Sequence, residues 1–362
     1  MKILIATGGS AGHIFPALAV ARELKAAGHE VFFSGVFADF GKTVMAQGYD
    51  FKELSAKGLT SSGLHPRKIP EFLISCIYML KSLRESDILL KKYQPDVVVG
   101  FGGYGAFPVV VMARIAKCPT MIHEQNVSPG RANRLLAKGK IRVALSFETS
   151  QKYFAPSQTV LTGYPLYHAK KSTQDKLSAR RAFSLKEDLY TLFVVGGSQG
   201  SHRINTVFSD SIPLLKKQMA FQVIHSCGKK DFVSLKEAYL RHGIPFYLKP
   251  FVGDVDGAYQ ACDLVVARAG AGTVMEIDAY GVSAIVIPYP HAQGHQRRNA
   301  DELARCARVE IVDDTDVTPE ILTERIIAQA DVNRLPPDMP ESGIFVADAA
   351  ERLAREIVGL KK

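Results

Sequence analysis

Short runs of β-branched and aromatic residues alternate along this chain with longer stretches of helical periodicity. That pattern predicts repeated strand–helix–strand units and a parallel sheet covered on both faces. KILIA (2–6) reads as a strand, and Phe15 to Ala27 as a helix stopped by Gly28. VFFSG, DVVVGFGG, PTMIHEQN, RVALSF and TVLTGYP repeat the strand signal to about residue 165. A fresh cycle opens with TLFVVGGSQGS (191–201) and runs through FQVIHSCG, PFYLKPF, LVVARAG and AIVIPYP. Both cycles begin with an apolar strand and a glycine loop, GGSAG at Gly8 to Gly12 and GGSQG at Gly196 to Gly200. The echo predicts an α/β protein with two Rossmann-like domains, their parallel sheets facing each other across a cleft. The expected divisions are 1–165, 166–345 and a C-terminal segment 346–362 whose helix, near Ala347 to Val358, packs back on the first domain. The expected linker is the polar stretch Tyr164 to Ser178, and a loop with Pro336, Pro337 and Pro340 precedes the last helix.

Length and composition narrow the class. A chain of 362 residues exceeds the usual single core, and 47% hydrophobic with 22% charged residues excludes disordered, collagenous and coiled-coil chains. The net charge of +9 is lopsided: residues 1–165 carry 20 basic and 11 acidic groups, the remainder 25 of each. The first half therefore has the field that draws phosphates, nucleic acid or an anionic bilayer. Five scattered cysteines, at 76, 118, 227, 262 and 306, suit reduced thiols, without a disulfide or zinc site. The N-terminus lacks the pattern of a signal peptide, and Val97 to Ala113, broken by glycines and Pro108, reads as a strand, a glycine loop and a helix start rather than a membrane span. A cytoplasmic protein is expected.

A glycine loop between strand and helix lets backbone amides approach a phosphate, and the helix N-terminus adds partial positive charge. Neither loop is GxGxxG and neither ends in GK[ST], which weakens nicotinamide and ATP readings. His13, at the entry of the first helix, is a candidate general base or else a capping or phosphate-contacting histidine. In HEQN (123–126), Glu124 is placed to orient an imidazole or take a proton and Asn126 to bind a sugar, unless the segment is only a turn into SPG. In the second half Arg268 precedes small residues and a helix expected near Thr273, with Glu276 on its first turn placed for a ribose diol or merely favouring the helix dipole. PYPHAQGHQRRNA (288–300) crowds polar groups after a strand, which suggests binding. Asp254/Asp256 and Asp314/Asp316 form DxD pairs without neighbouring ligands and read as solvated loops. Residues 69–93 place Phe72, Leu73, Ile77, Leu80 and Leu83 among basic side chains at helical spacing, either a core-facing helix or one that lies on an anionic bilayer.

In order and over nearly the whole chain, GGSAGHIFPALA, GFGGYGAFP, HEQNVSPGRANRLLA, GGSQGSHRIN, RAGAGTVMEI and PYPHAQGHQRRNA resemble the MurG family. These are the UDP-N-acetylglucosamine:N-acetylmuramyl-pentapeptide pyrophosphoryl-undecaprenol N-acetylglucosaminyltransferases of peptidoglycan synthesis. The resemblance implies a GT-B fold. It further implies an inverting, metal-independent transfer from UDP-N-acetylglucosamine to the 4-hydroxyl of muramic acid in lipid I, giving lipid II, at the cytoplasmic face of the membrane. It implies no cofactor and no nucleic-acid partner; the partners are UDP-N-acetylglucosamine, lipid I and an anionic membrane surface. By position, Ser10, Ala11 and Gly12 would face diphosphate, Asn126 and Gln296 the donor sugar, and Ser198 and Gln199 the donor phosphate. Val252 would meet uracil through its backbone, and Ala271, Gly272, Thr273, Val274, Met275 and Glu276 the phosphates and ribose. His13 is the family's candidate base with Glu124 near it in role, and Asn205 matches a polar position facing the cleft.

Two departures stand out. Ser10 and Ala11 replace Thr and Gly of the usual GGTGGH, narrowing the space for an acceptor phosphate, and TGYPLY replaces TGNPVR, so Tyr167 stands where the family has a donor-contacting Arg. The missing cation predicts weaker donor binding unless Arg131 or Arg268 compensates. The alternatives are another GT-B lipid glycosyltransferase, a UDP-N-acetylglucosamine epimerase and, against the missing GxGxxG, a nicotinamide oxidoreductase.

Overall fold

The computed structural model describes residues 1–37, 40–58, 69–139, 141–167, 175–291, 294–332 and 343–361. Residues 168–174 of the expected linker, and the loop with Pro336, Pro337 and Pro340, lie outside the described residues. The chain forms two units, Met1–Tyr167 with Asp348–Lys362, and His168–Ala347.

The first unit runs β1 (Lys2–Thr7), α1 (Ala11–Ala26), β2 (Glu30–Gly35), α2 (Gly41–Ala46), β3 (Asp50–Glu53), α3 (Ile69–Tyr93), β4 (Val97–Gly100), α4 (Gly103–Ile115), β5 (Thr120–Glu124), α5 (Arg131–Ala137), β6 (Arg142–Leu145) and β7 (Thr159–Leu161). Its described strands form one parallel sheet in the order β3-β2-β1-β4-β5-β6-β7. Central strands buried on both faces read as unbroken apolar runs, and Ile3, Leu4, Ile5 and Ala6 are all fully buried. The pleat sorts them: Ile3 and Ile5 join a core with Ile14 and Leu18 of α1, while Leu4 and Ala6 join one with Val109 and Val110 of α4.

The second unit runs α6 (Lys176–Ala182), β8 (Tyr190–Val195), α7 (His202–Lys216), β9 (Phe221–Ser226), α8 (Phe232–His242), β10 (Phe246–Lys249), α9 (Val255–Ala261), β11 (Leu264–Ala267), α10 (Ala271–Tyr280), β12 (Ser283–Val286), α11 (His295–Leu303), β13 (Val309–Ile311) and α12 (Pro319–Val332). Its parallel sheet has the order β10-β9-β8-β11-β12-β13. The final helix, α13 (Ala349–Gly359), belongs to the first unit. Leu353, Ala354 and Ile357 enter the α1 core, and Arg142 pairs with Glu356 at 3.3 Å.

The two strands that the hydrophobic pattern did not announce, β3 (DFKE) and β13 (VEI), are short edge strands whose polar composition hides the strand signal. α1 begins at Ala11 rather than Phe15, and α10 at Ala271 rather than Thr273, so Glu276 falls in the second turn rather than the first. In each case small residues after a glycine loop continue into helix, which propensity alone underweights.

Candidate active site

In each sheet the strand order reverses beside the first strand, between β1 and β4 and between β8 and β11. Loops leaving the carboxyl ends of such neighbours splay apart and form the ligand crevice of a doubly wound sheet. The sequence places its glycine loops at both points.

In the first unit the loops after β1 and β4 touch. A methyl at Gly8 would stand 2.9 Å from Gly103 Cα and 3.0 Å from the Gly102 carbonyl oxygen, so only glycine permits the approach. His13 lies on this contact, in the first turn of α1, its ring against Gly8, Gly102 and Gly103. Gly102 has φ +82° and a Cβ there would meet His13 Cε1 at 3.3 Å, so the second loop is shaped around the imidazole. Desolvation lowers the pKa of His13, against the Gln125 side chain and the Phe101 carbonyl, which raise it. The ring is therefore neutral near pH 7 and able to accept a proton. Ser10, the N-cap of α1, makes no side-chain cap, so its hydroxyl does not take up the first amides of the helix, at Ala11 and Gly12. Tyr164 donates from its hydroxyl to the Gly12 carbonyl at 3.3 Å, bracing the turn.

HEQN closes β5, next to β4. Glu124 is 1% exposed, and its carboxylate accepts from Asn126 N–H (2.9 Å), Asn126 Nδ2 (3.3 Å), Gly130 N–H (3.1 Å) and Asn133 Nδ2 (2.8 Å). It staples the turn into SPG, and no hydrogen bond joins it to His13. Burial raises its pKa, those bonds opposing the rise. The near neighbours of His13 are instead Gln125 and, behind it, His123. Strand alternation already puts 123 and 125 on one face and 124 on the other, a signal in the sequence that favours Gln125 over Glu124. Asn126 is tied to Glu124 through its amide, and its carbonyl accepts from Ser150.

In the second unit Gly200, at φ +77°, passes so close to the Cys227 carbonyl that a Cβ would overlap it at 2.0 Å, which locks the GGSQG turn. Ser198 is half-buried and Gln199 exposed on that turn. Ser201 caps α7 and takes Arg268 Nε at 3.1 Å and Nη2 at 2.9 Å. Arg268 also binds the Ile287 carbonyl and pairs with Asp314, and it is 7% exposed. It is a clamp between loops, a geometry that does not suit it to compensate for the missing linker cation, and Asp314 is not a solvated carboxylate. The other DxD pair is also committed: Asp254 caps α9 and Asp256 accepts from Tyr280 at 2.5 Å. Among the described residues no group of three or more His, Cys, Asp or Glu is placed to hold a metal ion.

α10 starts after Gly270 without a side-chain cap, presenting the backbone of Ala271, Gly272 and Thr273. Val274 and Met275 are buried packing residues. Glu276 accepts from Tyr259 at 2.9 Å, and desolvation pushes its pKa up to about 7, with Asp256 adding to the rise. Val252 is buried with its N–H on Ser226 Oγ at 3.3 Å, leaving the carbonyl as its pairing group. Gln296 Oε1 accepts from the Tyr289 N–H at 2.9 Å, which leaves its amide donors. Asn205 departs from the expected ligand-facing position. It is 1% exposed, donates to the Cys227 carbonyl and Asp231, and meets His225 through Oδ1 at 3.0 Å. Tyr167 lies in the first unit, 5.4 Å from the Phe15 ring, with Arg22 over it and with Tyr49 and Lys25 lining a pocket of about 300 Å³ beside it. Its observed contacts are those of a packing residue.

The last turns of α3 bury Leu89 and Leu90 in the core, but its earlier part is inverted relative to an ordinary surface helix. Ser75, Ser82 and Ser86 face inward, with hydroxyls on carbonyls of their own helix, whereas Phe72, Leu73, Ile74, Ile77 and Leu80 are exposed, Ile77 at 64% and Leu80 at 68%. Small residues let the helix approach its neighbour, and the apolar side is left outward with Lys81 and Arg84 around it.

The sequence profile of the glycosyltransferase family 28 N-terminal domain matches residues 3–145, and that of the C-terminal domain matches 191–353. A protein of Geobacter sulfurreducens named UDP-N-acetylglucosamine–N-acetylmuramyl-(pentapeptide) pyrophosphoryl-undecaprenol N-acetylglucosamine transferase is 35% identical over 360 residues, covering 98% of this chain and 95% of its own. The chain belongs to the MurG family, within glycosyltransferase family 28. The crystal structure of Acinetobacter baumannii MurG is similar with a TM-score of 0.70 and 24% identity over 99% of each chain. The UDP-GlcNAc 2-epimerase of Neisseria meningitidis reaches 0.71 at only 11% identity, covering 99% of this chain and all of that one. Backbone shape is thus common to MurG and the epimerases. What separates them is the near-full-length sequence kinship, which favours the transferase reading.

Proposed function

We propose that this MurG-family protein transfers N-acetylglucosamine from UDP-N-acetylglucosamine to the 4-hydroxyl of the muramoyl unit of lipid I, with inversion, giving lipid II. The observation that carries the chemistry is the neutral His13 imidazole, held between two glycine loops at the switch point of the first sheet. His13 Nε2 takes the proton of the acceptor hydroxyl as its oxygen attacks C1 of the donor sugar; the C1–O bond to the β-phosphate breaks, and its electron pair leaves with UDP. The uncapped starts of α1 and α10 offer backbone amides to diphosphate, and Ser198 and Gln199 add polar groups to the donor phosphates. Glu276 receives the ribose, the Val252 carbonyl the uracil, and Gln296 and Asn126 the donor sugar. This reading has no metal step, the departing charge being met by helix starts.

The reading also places the first unit on the cytoplasmic face of an anionic membrane through α3. Among the described residues no helix is long and apolar enough to cross a membrane. The support is the exposed apolar row of α3 with its flanking cations, in the half of the chain that carries all the net charge.

The test is transfer of labelled N-acetylglucosamine to a short-chain lipid I analogue with EDTA present. Transfer is expected. Donor binding without transfer would return the acceptor to the other lipid glycosyltransferases, and 2-epimerisation of the donor alone would overturn the reading.

A further inference from the structure

We propose that Gln125 is a positioning residue for His13, holding the imidazole with its proton on Nδ1 and its lone pair on Nε2. The proposal rests on His13 as the base and adds what sets its tautomer. Gln125 is 2% exposed, and Nε2 of its amide donates to the Phe101 carbonyl at 2.8 Å and lies 3.2 Å from His123 Nδ1. An amide NH2 only donates, so His123 Nδ1 accepts; neutral His123 then carries its proton on Nε2, 3.2 Å from the Gly163 carbonyl and 3.3 Å from Ser146 Oγ. The reversed amide would set Gln125 Oε1 against the Phe101 carbonyl oxygen, two acceptors with no proton between them. The chain of donors therefore runs one way and leaves Oε1 as the acceptor at its open end.

That end faces His13. A Cβ built on Gly102 would stand 3.4 Å from both Gln125 Oε1 and His13 Nδ1, so the two share the space that the missing side chain leaves. His13 Nδ1 is buried and makes no hydrogen bond of ordinary length and angle, while the Gln125 side chain and the Phe101 carbonyl both raise the proton affinity of the ring. Such contacts tighten when substrate is seated. Nε2, the nitrogen that must hold a lone pair to accept the hydroxyl proton, is not among the buried unpaired atoms. The ionisable groups around the ring are His123 behind Gln125, Tyr104 beside Gly9 and Tyr164 on the Gly12 carbonyl. Among the described residues no carboxylate or cation is hydrogen-bonded to the imidazole.

The experiment is nitrogen-15 NMR of the histidine-labelled full chain, with His13→Ala assigning the resonance, alongside pH–rate profiles of Gln125→Met and Gln125→Glu. The expected result is the Nδ1–H tautomer at His13 in the parent protein and the Nε2–H tautomer in Gln125→Met, with kcat lower by roughly 10²-fold and the donor KM little changed. In Gln125→Glu a carboxylate beside Nδ1 moves the acid limb of kcat upward by about one pH unit or more. An Nε2–H tautomer in the parent protein, or tautomer and acid limb unchanged in both variants, would overturn the proposal. If His13→Ala keeps its turnover while the tautomer responds as expected, the positioning stands and the base assignment falls.

Discussion

The site's chemistry turns on which side chains are uncommitted. Glu124 and Asn205 look like ligand groups in the sequence, yet each is buried and hydrogen-bonded within the protein, Glu124 to the turn and helix that follow it and Asn205 to Cys227, Asp231 and His225. His13, held neutral by burial, and Glu276, whose pKa burial pushes up to about 7, are the ionisable groups suited to the chemistry. His13→Ala is expected to lower kcat by roughly 10²- to 10⁴-fold with little change in donor KM, and an unchanged kcat would remove it from the base role. Glu276 yields a stability prediction. Its folded pKa of about 7 lies above the unfolded value near 4.5, so the folded state binds more protons between those limits. Its contribution therefore turns unfavourable as pH rises from about 4.5 to 7 and stays so above. Glu276→Gln, which keeps the acceptor for Tyr259, should raise stability by about 3 kcal/mol above pH 7 and by nothing below pH 4.5. Thermal unfolding at pH 4 and pH 8 measures this, and an equal shift at both would contradict it.

At the scale of elements, periodicity shows that residues 69–93 form an amphipathic helix but not which face the protein keeps. The structure answers with the serines: Ser75, Ser82 and Ser86 are buried, Leu89 and Leu90 join the core of α4, and the apolar row is left outside. A larger inward residue has no room, so Ser82→Leu should cost about 1–3 kcal/mol by overpacking. Glutamate at the exposed positions Ile77 and Leu80 should change stability by less than about 0.5 kcal/mol yet weaken binding to anionic vesicles at least tenfold. Co-sedimentation with such vesicles, beside a melting curve, separates the effects; undiminished binding by the double variant would take the membrane face away from α3. Strands show the same division of information. β1 and β4 announce themselves because both faces are buried, whereas β3 and β13, at the edges, carry polar residues and do not.

For the whole molecule, the last helix closes the first unit rather than the second, by burying Leu353 and Ile357 against α1. Leu353→Ala should destabilise that unit by about 2–5 kcal/mol while the second unit, which shares no part of this core, melts unchanged. Calorimetry resolving two transitions checks it, and an equal shift in both would show the units to be coupled. The sequence by itself determined the repeated α/β plan, the glycine loops at both switch points, the MurG motifs in order and the charge asymmetry. Each is written in local patterns, apolar runs, glycines or composition, that need no knowledge of distant neighbours. Only the tertiary structure decided that Arg268 and Asp314 clamp each other, that Asn205 turns inward and that α3 shows its apolar side. Those outcomes depend on which polar groups find partners far along the chain, because a buried carboxylate, amide or guanidinium is fixed by whatever satisfies it.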